Sequence, residues 1–165
     1  MINGLHHIAL STPDLDRMVA FYTDVLGFET VDWVGGWEAG NPVIDEIVGL
    51  KDSSARQAML RAGNLYLELF QYATPAPKPG DSNRPVCDHG YTHFCLDVTD
   101  IDAEYARLSA AGMRFHRAPV ADPEQGIAAT YGRDPDGNVI EIQEVRRTEH
   151  AFHRTRSGLV GTAAQ

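Results

Sequence analysis

The sequence is poor in three things. Its cysteines number two, Cys87 and Cys95, among 165 residues, which gives no disulfide framework, and their spacing forms no CxxC metal knuckle. Basic residues are outnumbered: 14 Lys and Arg against 23 Asp and Glu leave a net charge of −9, the wrong sign for a nucleic-acid partner. Long apolar runs are missing as well. None approaches the roughly 18 residues needed to span a bilayer, and the N-terminus lacks the basic stretch and apolar run of a secretion signal. A cytoplasmic, soluble protein with no nucleic-acid and no membrane partner is expected. A hydrophobic share of 43% with 22% charged residues is the composition of a folded globular chain, long enough to bury a real core.

What is there is written twice. "LHHIALSTPDLDRMVAFYTDVLGFET" (Leu5 to Thr30) reads strand, cap, helix, stop, strand. Thr12 is the expected N-cap, with Pro13 at the first helical position. Leu15, Val19, Tyr22 and Leu26 recur at helical spacing, and Gly27 ends the helix. "YTHFCLDVTDIDAEYARLSAAGMRF" (Tyr91 to Phe115) repeats that order, with Thr99 and Asp100 as caps and Gly112 as the stop. The offset is constant, since 93 − 7, 100 − 14 and 102 − 16 all equal 86. Each half closes with a hairpin, at Gly63-Asn64 and at Asp136-Gly137. The expected fold is therefore α+β, with each half β-α-β-β-β. Residues 1–72 form the first module with an insertion over 35–50, in which Asn41 caps a short helix. Residues 73–88, rich in Pro and Gly, are a linker. Residues 89–145 form the second module, and 146–165 a tail expected to be mobile.

Strand parity then picks out four polar residues. Leu65, Leu67 and Leu69 share one face of "NLYLELFQY", so Glu68 points the other way, on a strand that otherwise reads as buried. A carboxylate desolvated without a partner costs several kcal/mol or gives up its charge. By the same rule, Ile140 and Ile142 face a helix and leave Glu141 opposite. Phe94, Leu96 and Val98 leave His93 opposite, and Ile8 and Leu10 leave His7 opposite. His7, Glu68, His93 and Glu141 are thus one residue from each first and each last strand of the two halves. If the two sheets curve toward one another the four converge, and two imidazoles with two carboxylates suit a divalent metal that keeps room for water. A lone strand His or Glu is ordinarily a solvated or hydrogen-bonded residue. What singles out this quartet is its recurrence across a repeat. His6 falls by parity on the helix face and is read as structural, and Cys95 as a small packing residue. His89, His116, His150 and His153 are read as solvated.

The motifs "HHIALSTPDLDRMVAFYTDVLGF", "LYLELF", "GYTHFCLDVTDID" and "GRDPDGNVIEIQE" resemble, in this order and spacing, the vicinal-oxygen-chelate superfamily. That superfamily holds glyoxalase I, methylmalonyl-CoA epimerase, extradiol dioxygenases and bleomycin-resistance proteins. The resemblance covers nearly all of residues 4 to 145. It implies tandem βαβββ modules forming an open eight-stranded barrel around one divalent metal per chain (Zn, Ni, Co, Mn or Fe), with His7, Glu68, His93 and Glu141 at its four ligand positions. It also implies association into a homodimer. Ser11 stands where glyoxalase I commonly has Arg, and Tyr72 where it has Asn, which points away from glutathione. Glu68 stands where methylmalonyl-CoA epimerases usually carry Gln.

A dication holding two adjacent substrate oxygens stabilises an enediolate, so a proton α to a carbonyl becomes removable. By resemblance to glyoxalase I, Glu141 is the expected proton carrier, with Glu68 as its counterpart. The expected activity is that of an isomerase, epimerase or lyase on a small oxygenated substrate. Trp33, Trp37, Tyr72 and Tyr131 suggest that this substrate has an apolar or aromatic portion. The alternatives are an Fe(II) extradiol-type dioxygenase and a natural-product-binding resistance protein.

Overall fold

The computed structural model describes residues 1–154, except for the side chains of 32–34 within a strand. Trp33 and the end of the tail therefore lie outside the described residues. The chain divides into two units, one spanning Met1–Pro79 and the other beginning at Gly80.

The first unit runs β1 (His7–Ser11), α1 (Leu15–Ala20), β2 (Glu29–Trp37), α2 (Pro42–Val48), β3 (Ser54–Ala62) and β4 (Leu65–Thr74). Its sheet has the order β1-β4-β3-β2, with β1 parallel to β4 and the other pairs antiparallel. Leu15, Met18 and Tyr22 are fully buried beside Leu60, Leu67 and Leu69, the periodic helix face meeting the leucine face of β4. At about 25 cal/mol per Å² of apolar surface, such burial is the main source of stability. Helix α1 continues into a π-helical turn, Phe21–Val25, and the chain leaves it at Gly27 with φ +73°, a conformation that glycine adopts without strain.

The cap of α1 differs from the sequence expectation. Asp14, not Thr12, is the N-cap and accepts from the Arg17 amide at 3.0 Å. Thr12 is buried and its hydroxyl takes the Asp14 amide at 3.1 Å, shaping the turn before the helix. The reason is tertiary. The Gln71 side chain of β4 accepts the Leu15 amide at 3.0 Å, and Arg56 of β3 grips both Asp16 oxygens at 2.7 and 3.1 Å. These contacts hold the first helical turn on the sheet.

The insertion also starts later than expected, because Gly35–Trp37 are still strand, paired with Gln57, Arg56 and Ala55 of β3. A Cβ on Gly36 would lie 2.2 Å from the Ala55 carbonyl oxygen, so this glycine permits close strand approach rather than marking a loop. Asn41 caps α2 as expected, accepting from the Ile44 amide at 3.3 Å. The helix is tied down by Asp45, whose carboxylate accepts the Asp52 amide (2.8 Å), the Ser53 amide (2.9 Å) and the Ser53 hydroxyl (2.5 Å). Ser53 in turn accepts from Trp37 Nε1 at 2.9 Å.

The Ser53 hydroxyl, and then the Ser53 amide, hold the Asp45 carboxyl below the usual carboxylate range despite some burial. A depressed folded-state value means the stabilisation is complete above the unfolded carboxylate's ordinary value of about 4 and fades as pH falls through the folded value. The protection of residues 41–53 against hydrogen exchange, relative to the intrinsic rate at each pH, should therefore fall once pH drops below about 4. Asp45→Asn, which has no charge to lose, should abolish that pH step. A step of unchanged size in the variant would remove Asp45 as its origin.

The second unit runs β5 (His93–Asp97), α3 (Ile101–Ala110), β6 (Arg114–Phe115), β7 (Val120–Asp122), β8 (Ile127–Arg133) and β9 (Val139–Val145). Its sheet order is β5-β9-β8-β6, with β7 also pairing β8. The described residues thus hold two sheets with nine strands rather than eight. The additional strand is the three-residue β7, exposed throughout and paired through Val120↔Ala129, Ala121↔Ala128 and Asp122↔Ile127. Ile101, Leu108, Ile140 and Ile142 are fully buried, and Asp100 caps α3 through the Ala103 amide at 3.3 Å. The β8–β9 turn is held by buried Asp134, which accepts from the Asp136 amide, the Asn138 amide and the Asn138 side chain at 2.8 to 3.0 Å. Around it, Arg133 donates to the carbonyls of Gly137 (2.6 Å), Arg84 (2.9 Å) and Ser82 (3.3 Å). Part of the expected linker is therefore strapped onto this turn. No helix among the described residues is long and apolar enough to cross a membrane.

Candidate functional site

In both units the parallel pairing of first and last strands sets one diagonal. In the first unit Glu68 lies opposite Ala9, two residues after His7. In the second, Glu141 lies opposite Cys95, two residues after His93. Same-face neighbours on a strand are two residues apart, so each His reaches diagonally to the Glu of the last strand. His7 Nε2 is 3.3 Å from Glu68 Oε2, and His93 Nε2 is 3.1 Å from Glu141 Oε2. Both carboxylates are largely sheltered, their side chains 12% and 15% exposed, whereas the imidazoles are 41% and 26% exposed. The four residues chosen by parity thus meet as two pairs built to one pattern. Among the described residues, no group of three or more His, Cys, Asp and Glu side chains forms a metal site.

The far side of each ring is engaged too. His7 Nδ1 lies 2.9 Å from His6 Nδ1, and His93 Nδ1 lies 2.9 Å from the Thr92 hydroxyl. With Nδ1 occupied by a neighbour, Nε2 is the nitrogen presented to the carboxylate, as in metal-binding imidazoles whose other nitrogen is fixed behind them. Two donors about 2.1 Å from one tetrahedral divalent ion lie about 3.4 Å apart. The separations of 3.3 and 3.1 Å are close to that value. Imidazole nitrogen with carboxylate oxygen is a donor set that divalent transition metals accept. The residues present fit such an ion.

Each pair has its own surroundings. Gln57, 6% exposed, donates its side-chain amide to Glu68 Oε1 at 3.0 Å, so the half-buried carboxylate has a partner for each oxygen. Beyond it on the same face stand Trp37, Phe70 and Tyr72, with ring centroids 5.6 to 5.9 Å apart. Desolvation, with the Glu68 charge adding to it, pushes the Tyr72 phenol up. In the second unit the Tyr131 ring lies 4.8 Å from that of His93, its phenol raised by desolvation and then by Glu141. The Cys95 thiol faces Glu141 and is pushed up to about 12, first by desolvation and then by that carboxylate. Cys95 is nevertheless exposed, which corrects the packing role read from the sequence.

Sequence reasoning missed two supports. His6 is not on the helix face: it is exposed, edge-on to His7 and 5.2 Å from the Tyr66 ring, because it precedes β1 and escapes strand parity. Gln57 was findable. The Gly63-Asn64 turn pairs Ala62 with Leu65, and counting back pairs Met59 with Glu68, placing Gln57 one same-face step away. Of the remaining histidines, His89 and His116 are exposed as expected. His150 is half-buried and accepts the Phe152 amide at 3.0 Å through Nδ1.

Two sheets of β-α-β-β-β origin, each with a first-strand His meeting a last-strand Glu, define a glyoxalase-type fold. A family model described as the Glyoxalase/Bleomycin resistance protein/Dioxygenase superfamily matches residues 4–142, and the chain belongs to that superfamily. It is 37% identical over 153 residues to a 2-epi-5-epi-valiolone epimerase from Actinomyces sp., covering 84% of this chain and 78% of that protein. It is 26% identical over 155 residues to the metallothiol transferase FosB of Shouchella clausii, covering 93% of this chain and 88% of that one. In fold it is similar to a glyoxalase family protein from Bacillus cereus, with a TM-score of 0.76, 22% identity, and 87% and 95% of the two chains covered. The first two of these relatives are named as enzymes, an epimerase and a transferase.

Proposed function

We propose that this protein is a metal-dependent epimerase that inverts a carbon next to a carbonyl in a small, oxygen-rich substrate. The observation that carries the reading is the repeated His–Glu pair, His7 with Glu68 at 3.3 Å and His93 with Glu141 at 3.1 Å, in a chain 37% identical to an epimerase. In this reading His7, Glu68, His93 and Glu141 are the ligands of one divalent ion per chain, drawn from Zn, Ni, Co, Mn and Fe. When bound, such an ion supplies the positive charge that lets a proton leave the carbon beside a carbonyl.

The chain's own residues do the rest. His7 and His93 present Nε2, fixed from behind by His6 and Thr92. Glu141 accepts the proton from one face of the carbon on a carboxylate oxygen, and the centre inverts when a solvent-derived proton is delivered to the opposite face. Trp37, Phe70 and Tyr72 exclude water from the Glu68 side and take the carbon framework of the substrate. The reading includes association of two chains.

The test uses metal-loaded protein and 2-epi-5-epi-valiolone in deuterium oxide. Deuterium should enter one carbon-bound position of the substrate, and the epimer should accumulate, with no oxygen consumed. Stoichiometric oxygen uptake would instead indicate the dioxygenase reading. Equal binding by metal-free and metal-loaded protein without turnover would indicate a sequestering protein.

A further inference from the structure

The two half-sites share a pattern of strand register but not of hydrogen bonds, and the difference falls on the two carboxylates. On β3, Gln57 pairs with Phe70, two residues past Glu68. On β8 the corresponding position is Ala129, which pairs with Gln143, two residues past Glu141. The first carboxylate therefore has an amide donor at this register position, and the second has an alanine, which cannot donate. Gln57 is 6% exposed and its amide is 3.0 Å from Glu68 Oε1, while Glu68 Oε2 faces His7 at 3.3 Å. Each oxygen of Glu68 is thus assigned. Glu141 has one oxygen at 3.1 Å from His93, with the Cys95 thiol, a weak donor, and the cross-strand Tyr131 beside it.

We infer that Gln57 is a positioning residue: its amide fixes Glu68 as a stationary ligand and leaves Glu141, which has no such amide, as the carboxylate able to turn and carry the proton. This rests on the proposed metal site and adds to it a reason for the division of labour. A charge-assisted hydrogen bond from a buried amide restrains the carboxylate more firmly than a thiol contact does. A fixed second partner of this kind typically sets metal affinity by 10–100-fold. Gln57 touches neither substrate nor metal in this account and acts only through Glu68.

The test is Co(II) titration of metal-free protein, followed by visible absorption, for the wild type, Gln57→Met, Glu68→Gln and the double variant. Gln57→Met keeps the side-chain length and removes the amide. It should weaken Co(II) binding about 10–100-fold while the metal-free protein keeps its circular dichroism and melting point. In the Glu68→Gln background the same change should have no further effect, because the partner is already altered. Should Gln57→Met not fold, Gln57→Leu is read the same way. Wild-type binding with an unchanged Gln57→Met affinity overturns the positioning role alone. An equal loss in the Glu68→Gln background does the same, since it assigns the effect to packing. A wild type that binds no Co(II) overturns both this inference and the metal site on which it rests.

Discussion

Glu141→Gln is expected to keep its metal and lose turnover by on the order of 10²-fold or more, the usual scale for a lost general base. The substitution preserves shape and leaves an oxygen within reach of His93 Nε2, which stands 3.1 Å from Glu141 Oε2. It removes the one property the reaction needs, the ability to take a proton. Glu68→Gln should behave differently. Its carboxylate is held by Gln57 at 3.0 Å and by His7 at 3.3 Å, so its loss should appear mainly as weaker metal binding. If Glu141→Gln turns over normally and Glu68→Gln is dead, the two roles are exchanged. Full activity in both variants would remove proton abstraction by either carboxylate from the mechanism.

Removing His93 should have the largest effect on the metal itself. His93→Ala deletes the Nε2 donor facing Glu141 and the ring that lies 4.8 Å from Tyr131. Losing a residue that merely supports a ligand costs about 10–100-fold in metal affinity, and losing a ligand should cost at least that much. After dialysis against buffer, elemental analysis should find most of the metal gone from the variant and roughly one ion per chain in the wild type. Equal metal content in the two proteins would exclude His93 as a ligand.

Much of the frame was legible because strand and turn rules act locally. Leu67 and Leu69 are buried with Glu68 turned to the other face, as alternation requires. Asn41 and Asp100 cap their helices and the Gly63-Asn64 turn closes its hairpin, each through side chains or dihedrals confined to a few residues. The same alternation puts His7, Glu68, His93 and Glu141 opposite the apolar faces of their strands, whereas their meeting as two pairs depends on the parallel register of first and last strands.

What escaped the sequence depends on contacts made across the fold. The start of α1 moved from Thr12 to Asp14 because Gln71 and Arg56, 56 and 40 positions away in the chain from the residues they bind, take hold of its first turn. Gly36 fell within the expected insertion, and its role is to let β2 approach the Ala55 carbonyl. β7 is three exposed residues with no apolar alternation of its own, so only its partner strand defines it. The amide of Gln57 looked like one more polar residue of a strand. Its importance lies in the register that brings it to Glu68, and in the alanine that occupies the matching place beside Glu141.

A single divalent ion held by two pairs of side chains would be seen directly by anomalous diffraction from Mn-loaded crystals. One anomalous peak per chain is predicted, bonded at about 2.0–2.2 Å to Nε2 of His7 and His93 and to one oxygen each of Glu68 and Glu141. A peak that touches only one of the two pairs, or separate peaks at each, would contradict it.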